Sequence, residues 1–127
     1  MLQKFIRVSY EFRLMNFCTR TIDIPTNKII ATVPVGSGPE GVVITPNGKK
    51  VYVTNGDDGT ISVIDTETNA VTAMVHVEDK PQGVAVSPDG TKVYVTNWQS
   101  NNVSEIDTAT NKVIASVESI LKCRIKT

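Results

Sequence analysis

The sequence predicts an all-β fold of β-propeller blades, each with four antiparallel strands. About two full blades and some partial ones are expected, without a closed ring. Three observations lead to this fold class. The stretch KVYVTN occurs at residues 50–55 and again at 92–97, a spacing of 42 residues. The apolar residues alternate with period two rather than 3.6, and turn residues separate the apolar runs at matching places in each copy.

The internal repeat extends well beyond these six residues. Residues 22–63 match residues 64–105 at 19 of 42 positions, and residues 106–117 match 64–75 at 8 of 12. A period of 20–50 residues is typical of solenoids, propellers and arrays. Helical solenoids are excluded because the helical period is missing. A β-sandwich does not require turns at a fixed interval.

Each period contains four strand-like runs rich in β-branched and aromatic residues. We expect strands at 28–35, 41–45, 50–54, 60–65, 70–77, 83–87, 92–96, 102–107 and 112–118. Pro46-Asn47-Gly48 and Pro88-Asp89-Gly90 predict tight hairpin turns, since glycine accepts positive φ. Four strands in about 40–45 residues match one propeller blade.

The sequence divides into a non-repeat N-terminal segment at 1–20, partial-propeller repeats at 21–117 and a non-repeat tail at 118–127. The N-terminal segment predicts an amphipathic strand that could cover an open edge of the first blade. Its alternating apolar residues are Ile6, Val8, Tyr10, Phe12 and Leu14. A disordered leader is the alternative interpretation.

Glu105 breaks the apolar pattern of its strand. It occupies the position of Val63 in the preceding repeat. A closed propeller would pack that strand on both faces, and burial of an unpaired carboxylate is costly. We therefore expect Glu105 to be solvated near an open end.

Tyr52-Val53-Thr54-Asn55 and Tyr94-Val95-Thr96-Asn97 resemble the signature of the YVTN β-propeller repeat family, and the resemblance covers residues 22–117. It implies seven-bladed propellers of archaeal surface-layer, surface-antigen or bacterial envelope proteins. Cousins of similar blade design include quinoprotein dehydrogenases, nitrite-reductase domains and lactonases. Only two full repeats are present here, so we infer a truncated propeller that cannot close alone.

The composition narrows the classes of partner. The 13 basic and 13 acidic residues balance, so no overall charge favours nucleic acid or an acidic membrane surface. No apolar run approaches the roughly 18 residues of a membrane span. The resemblance implies an extracellular or envelope location, although the N-terminus is no clear signal peptide. Cys18 and Cys123 lack metal-binding spacing, and a disulfide between them stays open.

We predict no catalytic, cofactor-binding or metal-binding residues. His76 is the one histidine, and we expect it on the surface. The aspartates that recur in every repeat are expected to be structural because an active site needs asymmetry; they are Asp23, Asp65 and Asp107.

Two loop motifs resemble ligand sites but favour plainer interpretations. Asn55, Asp57 and Asp58 could bind calcium, but a solvated turn is the simpler interpretation. Gly36-Ser37-Gly38 with Gly41 fits G-x-G-x-x-G but precedes a strand rather than a helix, so no phosphate site is expected.

Two further residues are candidates for contacts. Trp98 follows the second YVTN stretch on a loop and could anchor a partner, with loop-to-strand packing as the alternative. Asn102 begins the sequon Asn102-Val103-Ser104 and would be glycosylated only in an exported chain.

The leading functional prediction is a non-catalytic propeller scaffold with a cell-surface or protein-binding role, not an enzyme. Self-association through open blade edges is expected. The alternative is a fragment of a propeller enzyme, quinoprotein dehydrogenase-like or lactonase-like, whose site lies in missing blades. Binding of single-stranded nucleic acid is a weaker third hypothesis, because it needs a basic, aromatic-lined face.

Overall fold

The computed structural model describes residues 4–11, 16–23 and 28–118. These residues form eleven β-strands, and none of them lies in a helix. The strands are β1 (Lys4–Glu11), β2 (Asn16–Asp23), β3 (Lys28–Pro34), β4 (Pro39–Ile44), β5 (Lys50–Asn55), β6 (Thr60–Asp65), β7 (Ala70–His76), β8 (Pro81–Val86), β9 (Lys92–Asn97), β10 (Asn102–Asp107) and β11 (Lys112–Glu118).

The strands form three antiparallel sheets, each a meander of consecutive strands. The first sheet contains β1–β3, the second β4–β7 and the third β8–β11. The two four-stranded sheets correspond to the two full repeats, and the three-stranded sheet is a partial blade. The predicted fold class of open, four-stranded propeller blades is therefore confirmed.

The three sheets stack face to face through two apolar cores. Val33 of the first sheet packs against Val51, Val53 and Ile64 of the second. The other face of the second sheet packs against the third; that core contains Tyr52, Ile61, Val63, Val75, Val93, Val95 and Ile106. Because strand side chains alternate between faces, consecutive residues of β5 contribute to different cores.

The strand register relates the first sheet to the other two. Lys50 pairs with Asp65 and Lys92 pairs with Asp107, and in the same way Lys4 pairs with Asp23. A bulge also interrupts the pairing of the last two strands at the same place in every sheet. Hence β1 is the equivalent of β5 and β9, the second strand of a blade.

No innermost strand equivalent to β4 and β8 lies among the described residues of the first sheet. A strand does occupy the predicted amphipathic segment, and Phe12 and Leu14 fall outside the described residues. β2 extends across residues 20 and 21, where the sequence placed a boundary. The division into 1–20, 21–117 and 118–127 stays a prediction.

The predicted turns adopt positive backbone φ angles where the sequence requires them. Gly48 and Gly90 have φ of 73° and 77° in the first hairpin of their sheets. Asn69 and Asn111 have φ of 55° and 56° in the last hairpin. Short polar side chains tolerate this left-handed region better than other non-glycine residues do.

Among the residues that the structure describes, no helix is long and apolar enough to cross a membrane.

Candidate functional site at the loop edge of the sheets

The loops at one end of the second and third sheets bring several polar side chains together. We call this end the loop edge. It contains the segments 35–38 and 77–80, which enter β4 and β8, and the turns 56–59 and 98–101, which follow β5 and β9. In each sheet the turn bonds the entering segment: Gly56 N donates to Gly38 O, and Trp98 N donates to Lys80 O, both at 2.8 Å.

Asn55 lies at the base of the loop edge and is fully buried. Its Nδ2 donates to Thr60 Oγ1 at 3.1 Å and to Ser62 Oγ at 2.9 Å. Its Oδ1 accepts a hydrogen bond from Gly36 N at 3.1 Å. The amide therefore joins the entering segment to the second and third strands of the sheet.

Asn97 occupies the same position in the third sheet but makes fewer bonds. Its Nδ2 donates to Asn102 Oδ1 at 2.9 Å and to Ser104 Oγ at 2.8 Å. Its Oδ1 is buried without a hydrogen-bond partner among the described residues. An unsatisfied buried acceptor is costly, so the two copies of the motif differ in stability.

The residue of the entering segment that lies next to each asparagine explains this difference in hydrogen bonding. A Cβ on Gly36 would lie 2.6 Å from Asp58 Oδ2 and 2.8 Å from Asn55 Cγ. Only glycine can approach the asparagine this closely. Glu78 is the equivalent residue in the third sheet, and a residue with a Cβ must stay farther away, which leaves Asn97 Oδ1 without the backbone donor.

The acidic side chains of the turn after β5 bond neighbouring segments. Asp57 Oδ1 accepts a hydrogen bond from Lys80 Nζ at 2.8 Å, and Asp58 Oδ2 accepts one from Ser37 N at 2.7 Å. The hydrogen bond from Lys80, and then its positive charge, lowers the pKa of Asp57. The same pair raises the pKa of Lys80. One carboxylate oxygen of each aspartate considered for calcium thus accepts a hydrogen bond from within the chain.

The structure places the predicted contact residues on the loop edge. Trp98 lies on the turn after β9 and is 63% exposed. Asn102 accepts from Asn97, and its Nδ2 donates to Glu78 Oε2 at 2.9 Å. Glycosylation of Asn102 would leave one hydrogen on this Nδ2 to donate. The partner role of Trp98 and the modification of Asn102 stay predictions.

His76 is exposed at the end of β7. Cys18 lies in β2, and Cys123 falls outside the described residues. A disulfide between the two cysteines therefore stays an open possibility. Within the described ranges no three His, Cys, Asp or Glu side chains are close enough together to hold a metal ion.

The opposite edge of the sheets holds the hairpin turns and one shallow pocket. The pocket has a volume of about 210 Å³ and is lined by Lys49, Lys50, Asp65, Glu67 and Thr72.

In the third-sheet hairpin at this edge, hydrogen bonds hold the carboxylate of Asp89. The Ser87 hydroxyl donates to Asp89 Oδ1 at 2.7 Å, and the backbone and hydroxyl of Thr91 donate to the same atom. The bond from Ser87, followed by those from Thr91, lowers the pKa of Asp89 to about 2.

Three side chains of the second sheet bond the third sheet directly. The Tyr52 hydroxyl donates to Asn111 Oδ1 at 2.9 Å, Thr54 Oγ1 donates to Gln82 O at 3.0 Å, and Lys50 Nζ donates to Thr108 O at 2.6 Å. Burial, and then the charge of Asp107, raises the pKa of Tyr52 to about 12. Sequence reasoning missed these bonds, although their donors lie within the repeated KVYVTN stretch.

Comparison with solved structures identifies β-propeller proteins as structural neighbours. Hydrazine synthase from Kuenenia stuttgartiensis is 31% identical over 78% of this chain and 29% of that chain, with a TM-score of 0.76. Apo AztD from Citrobacter koseri is 20% identical over 83% of this chain and 30% of that chain, with a TM-score of 0.70. Dihydro-heme d1 dehydrogenase NirN, in complex with DHE, is 23% identical over 91% of this chain and 24% of that chain, with a TM-score of 0.72.

The matched region spans less than a third of the length of each of these three structures. No protein-family model matches the chain, and no curated protein matches it by sequence.

The prediction that the chain is not an enzyme is wrong, because two of these neighbours are enzymes. The error has a physical cause. The residues that form the strands, turns and inter-sheet bonds of a blade have the same structural roles in a scaffold and in an enzyme. Function depends on the site residues that a fold carries in addition to these. A search for convergent side chains within two blades therefore does not separate the two classes.

Proposed function

We propose that this chain supplies blades to a propeller enzyme, with a dehydrogenase as the favoured class. The observation that carries the proposal is the likeness to hydrazine synthase, 31% identical over 78% of this chain with a TM-score of 0.76. The fold shared with dihydro-heme d1 dehydrogenase supports an oxidation–reduction reaction. Of the two enzyme classes expected from the sequence, the dehydrogenase is thus favoured over the lactonase.

In this proposal the described blades hold the site in place, and other blades or domains supply the reacting groups. The polar side chains of the loop edge support this division of labour. Asn55, Asp57 and Asp58 each bond another segment of the same chain. At the other edge Thr45 and Ser87 donate to Asn47 and Asp89 of their own hairpins. Groups held in this way make rigid walls for a site.

The finer features expected from the sequence are part of the same proposal. They are the YVTN type of repeat, the origin as a piece of a larger propeller, and an extracellular or envelope location. The repeats at 22–117 support the first two. We propose Trp98 as the contact with a protein partner, because tryptophan is enriched among the residues that anchor interfaces and this side chain is 63% exposed.

The test is to isolate the assembly that contains this chain and to assay it. The chain carries an affinity tag in the cells that express it, and the purified assembly is tested for oxidation of dihydro-heme d1 with a dye as electron acceptor. Release of hydrazine is measured separately. A tagged Val63→Asp variant, whose buried core position cannot hold a charge, is the matched control.

We expect one of these activities to co-purify with the wild-type chain and to be absent from the control. A folded chain in an assembly that neither oxidises dihydro-heme d1 nor releases hydrazine would contradict the proposal of a propeller enzyme, and hydrazine release alone would contradict the dehydrogenase class.

A further inference from the structure

The sequence contains two Asn-Gly pairs, and the structure places them in different surroundings. They are Asn47-Gly48 and Asn55-Gly56. Asn47 lies exposed in the hairpin turn between β4 and β5, whereas Asn55 is fully buried at the end of β5. Asparagine followed by glycine is the pair most prone to deamidation, because glycine has no side chain to hinder the attack of its backbone nitrogen on the asparagine amide.

Deamidation of such a pair needs water and no other reactant. Gly48 N forms a bond with Asn47 Cγ and loses its proton to water, and the Cγ–Nδ2 bond breaks to release ammonia. Water then adds to one carbonyl of the cyclic imide and opens the ring to aspartate or isoaspartate. Either product adds one negative charge to a chain whose formal net charge is zero.

Two hydrogen-bond donors polarise the side-chain amide of Asn47. The Thr45 hydroxyl donates to Asn47 Oδ1 at 2.7 Å, and Lys49 N donates to the same atom at 2.9 Å. Negative charge develops on this oxygen when Gly48 N attacks Cγ, and donors placed at a developing oxyanion lower the barrier. Gly48 N itself donates to Thr45 O at 2.8 Å, so the attack requires the opening of this one turn bond.

The fold protects the second Asn-Gly pair from the same reaction. Asn55 is 0% exposed, and its amide accepts a hydrogen bond from Gly36 N and donates to Thr60 and Ser62. The amide must leave all three partners before it can turn toward Gly56 N, and Gly56 is buried as well. Local opening of buried, bonded groups costs more free energy than the opening of one exposed turn.

The third sheet already carries an aspartate at the position of Asn47. Asp89-Gly90 is the equivalent of Asn47-Gly48, and the two glycines have nearly equal backbone φ angles. The Ser87 hydroxyl and Thr91 N donate to Asp89 Oδ1 at 2.7 and 3.0 Å, which repeats the two bonds to Asn47 Oδ1. This hairpin turn therefore accommodates an aspartate with the same backbone and the same donors.

We propose that Asn47 is a site of spontaneous deamidation in the folded chain, and that its aspartate product keeps the native hairpin by making the hydrogen bonds of Asp89. An isoaspartate product would lengthen the backbone of the turn by one carbon atom, for which the repeat offers no precedent. The new carboxylate accepts from the backbone of Lys49, which lines the pocket at this edge. The modification thus changes the charge at the pocket. It does not depend on the proposed enzymatic function.

Incubation of the full chain in mildly alkaline buffer tests the proposal, with Asn55 as an internal control of the same sequence type. Tandem mass spectrometry of protease digests follows the mass gain of deamidation at each asparagine and separates aspartate from isoaspartate. A parallel incubation in urea removes the protection of the fold, and circular dichroism checks that the buffer sample stays folded. Asn47→Gln is the unreactive control, and Asn47→Asp represents the aspartate product.

In the folded chain we expect Asn47 to react at least about tenfold faster than Asn55, because the buried amide must first be exposed by local opening. In urea the two should react at similar rates. Asn47→Asp should unfold at a urea midpoint close to that of wild type. An unreactive Asn47, equal rates in the folded chain, a rate difference that persists in urea, or an Asn47→Asp variant that loses the fold would overturn the proposal.

Discussion

The two asparagines of the repeated motif should differ sharply in their contribution to stability. Asn55→Ala removes three hydrogen bonds of a fully buried amide, to Gly36, Thr60 and Ser62. At about 1 kcal/mol net for each bond, the loss is about 3 kcal/mol. That is a large share of the roughly 5–15 kcal/mol that separates folded from unfolded states in typical domains.

Asn97→Ala removes only two bonds, worth about 2 kcal/mol. It also removes the buried Oδ1 that has no partner among the described residues. Burying such an atom costs about 1–3 kcal/mol, so its removal offsets much of the loss. The net change is about 0–1 kcal/mol, and the two variants should differ by about 2–3 kcal/mol.

Equilibrium unfolding in urea, followed by circular dichroism and extrapolated linearly to water, measures both free energies of unfolding. One fixed protein concentration is used because association adds stability. Equal losses for Asn55→Ala and Asn97→Ala, within about 0.5 kcal/mol, would refute the assignment of Gly36 N–H as the donor that separates them, since the bonds to the third strand are otherwise alike.

Three further variants test other contacts. Thr54→Val should cost about 2 kcal/mol in urea unfolding, because Thr54 accepts from Gly41 N and donates to Gln82 O; a neutral result would contradict the inter-sheet bond. Ultraviolet titration should show a tyrosine with a pKa of about 12 that is absent from Tyr52→Phe. Because this pKa is raised, the stability it contributes is present below the unfolded value of about 10 and lost as the pH rises through about 12. The pKa of Asp89 is lowered to about 2, so its stabilisation is present above the unfolded value of about 4 and lost as the pH falls through about 2. Asp89→Asn should flatten the melting temperature over that acid range, and an unchanged slope would argue against the Ser87 bond.

The blades could be predicted from sequence because local signals agree with the global fold. Alternation in β5 and β9 and the turn glycines Gly48 and Gly90 act within a few residues of one another. The first sheet was harder to predict. Lys4 is equivalent to Lys50 only through its pairing with Asp23, and the longer strands of that sheet shift it out of the 42-residue period.

The loop edge shows where sequence reasoning fails. The loss of one bond at Asn97 depends on whether the residue at position 36 or 78 has a Cβ, which sets how closely two loops can approach. The role of Thr54 depends on a carbonyl 28 residues away. The periodic pattern of apolar residues in the sequence does not reveal such contacts. The enzymatic relationship was missed for a different reason, because blade residues serve the fold in every class of propeller.

Comparison of the two copies of KVYVTN shows which residues of the motif contact the preceding sheet and which contact the following one. Val51 and Val53, like Val93 and Val95, pack toward the preceding sheet and are buried in both copies. The tyrosine and threonine of each copy point toward the following sheet, and they are buried only where that sheet is present. One half of the motif therefore joins a blade to its predecessor and the other half to its successor. The second half is exposed at the third sheet because no following sheet lies among the described residues.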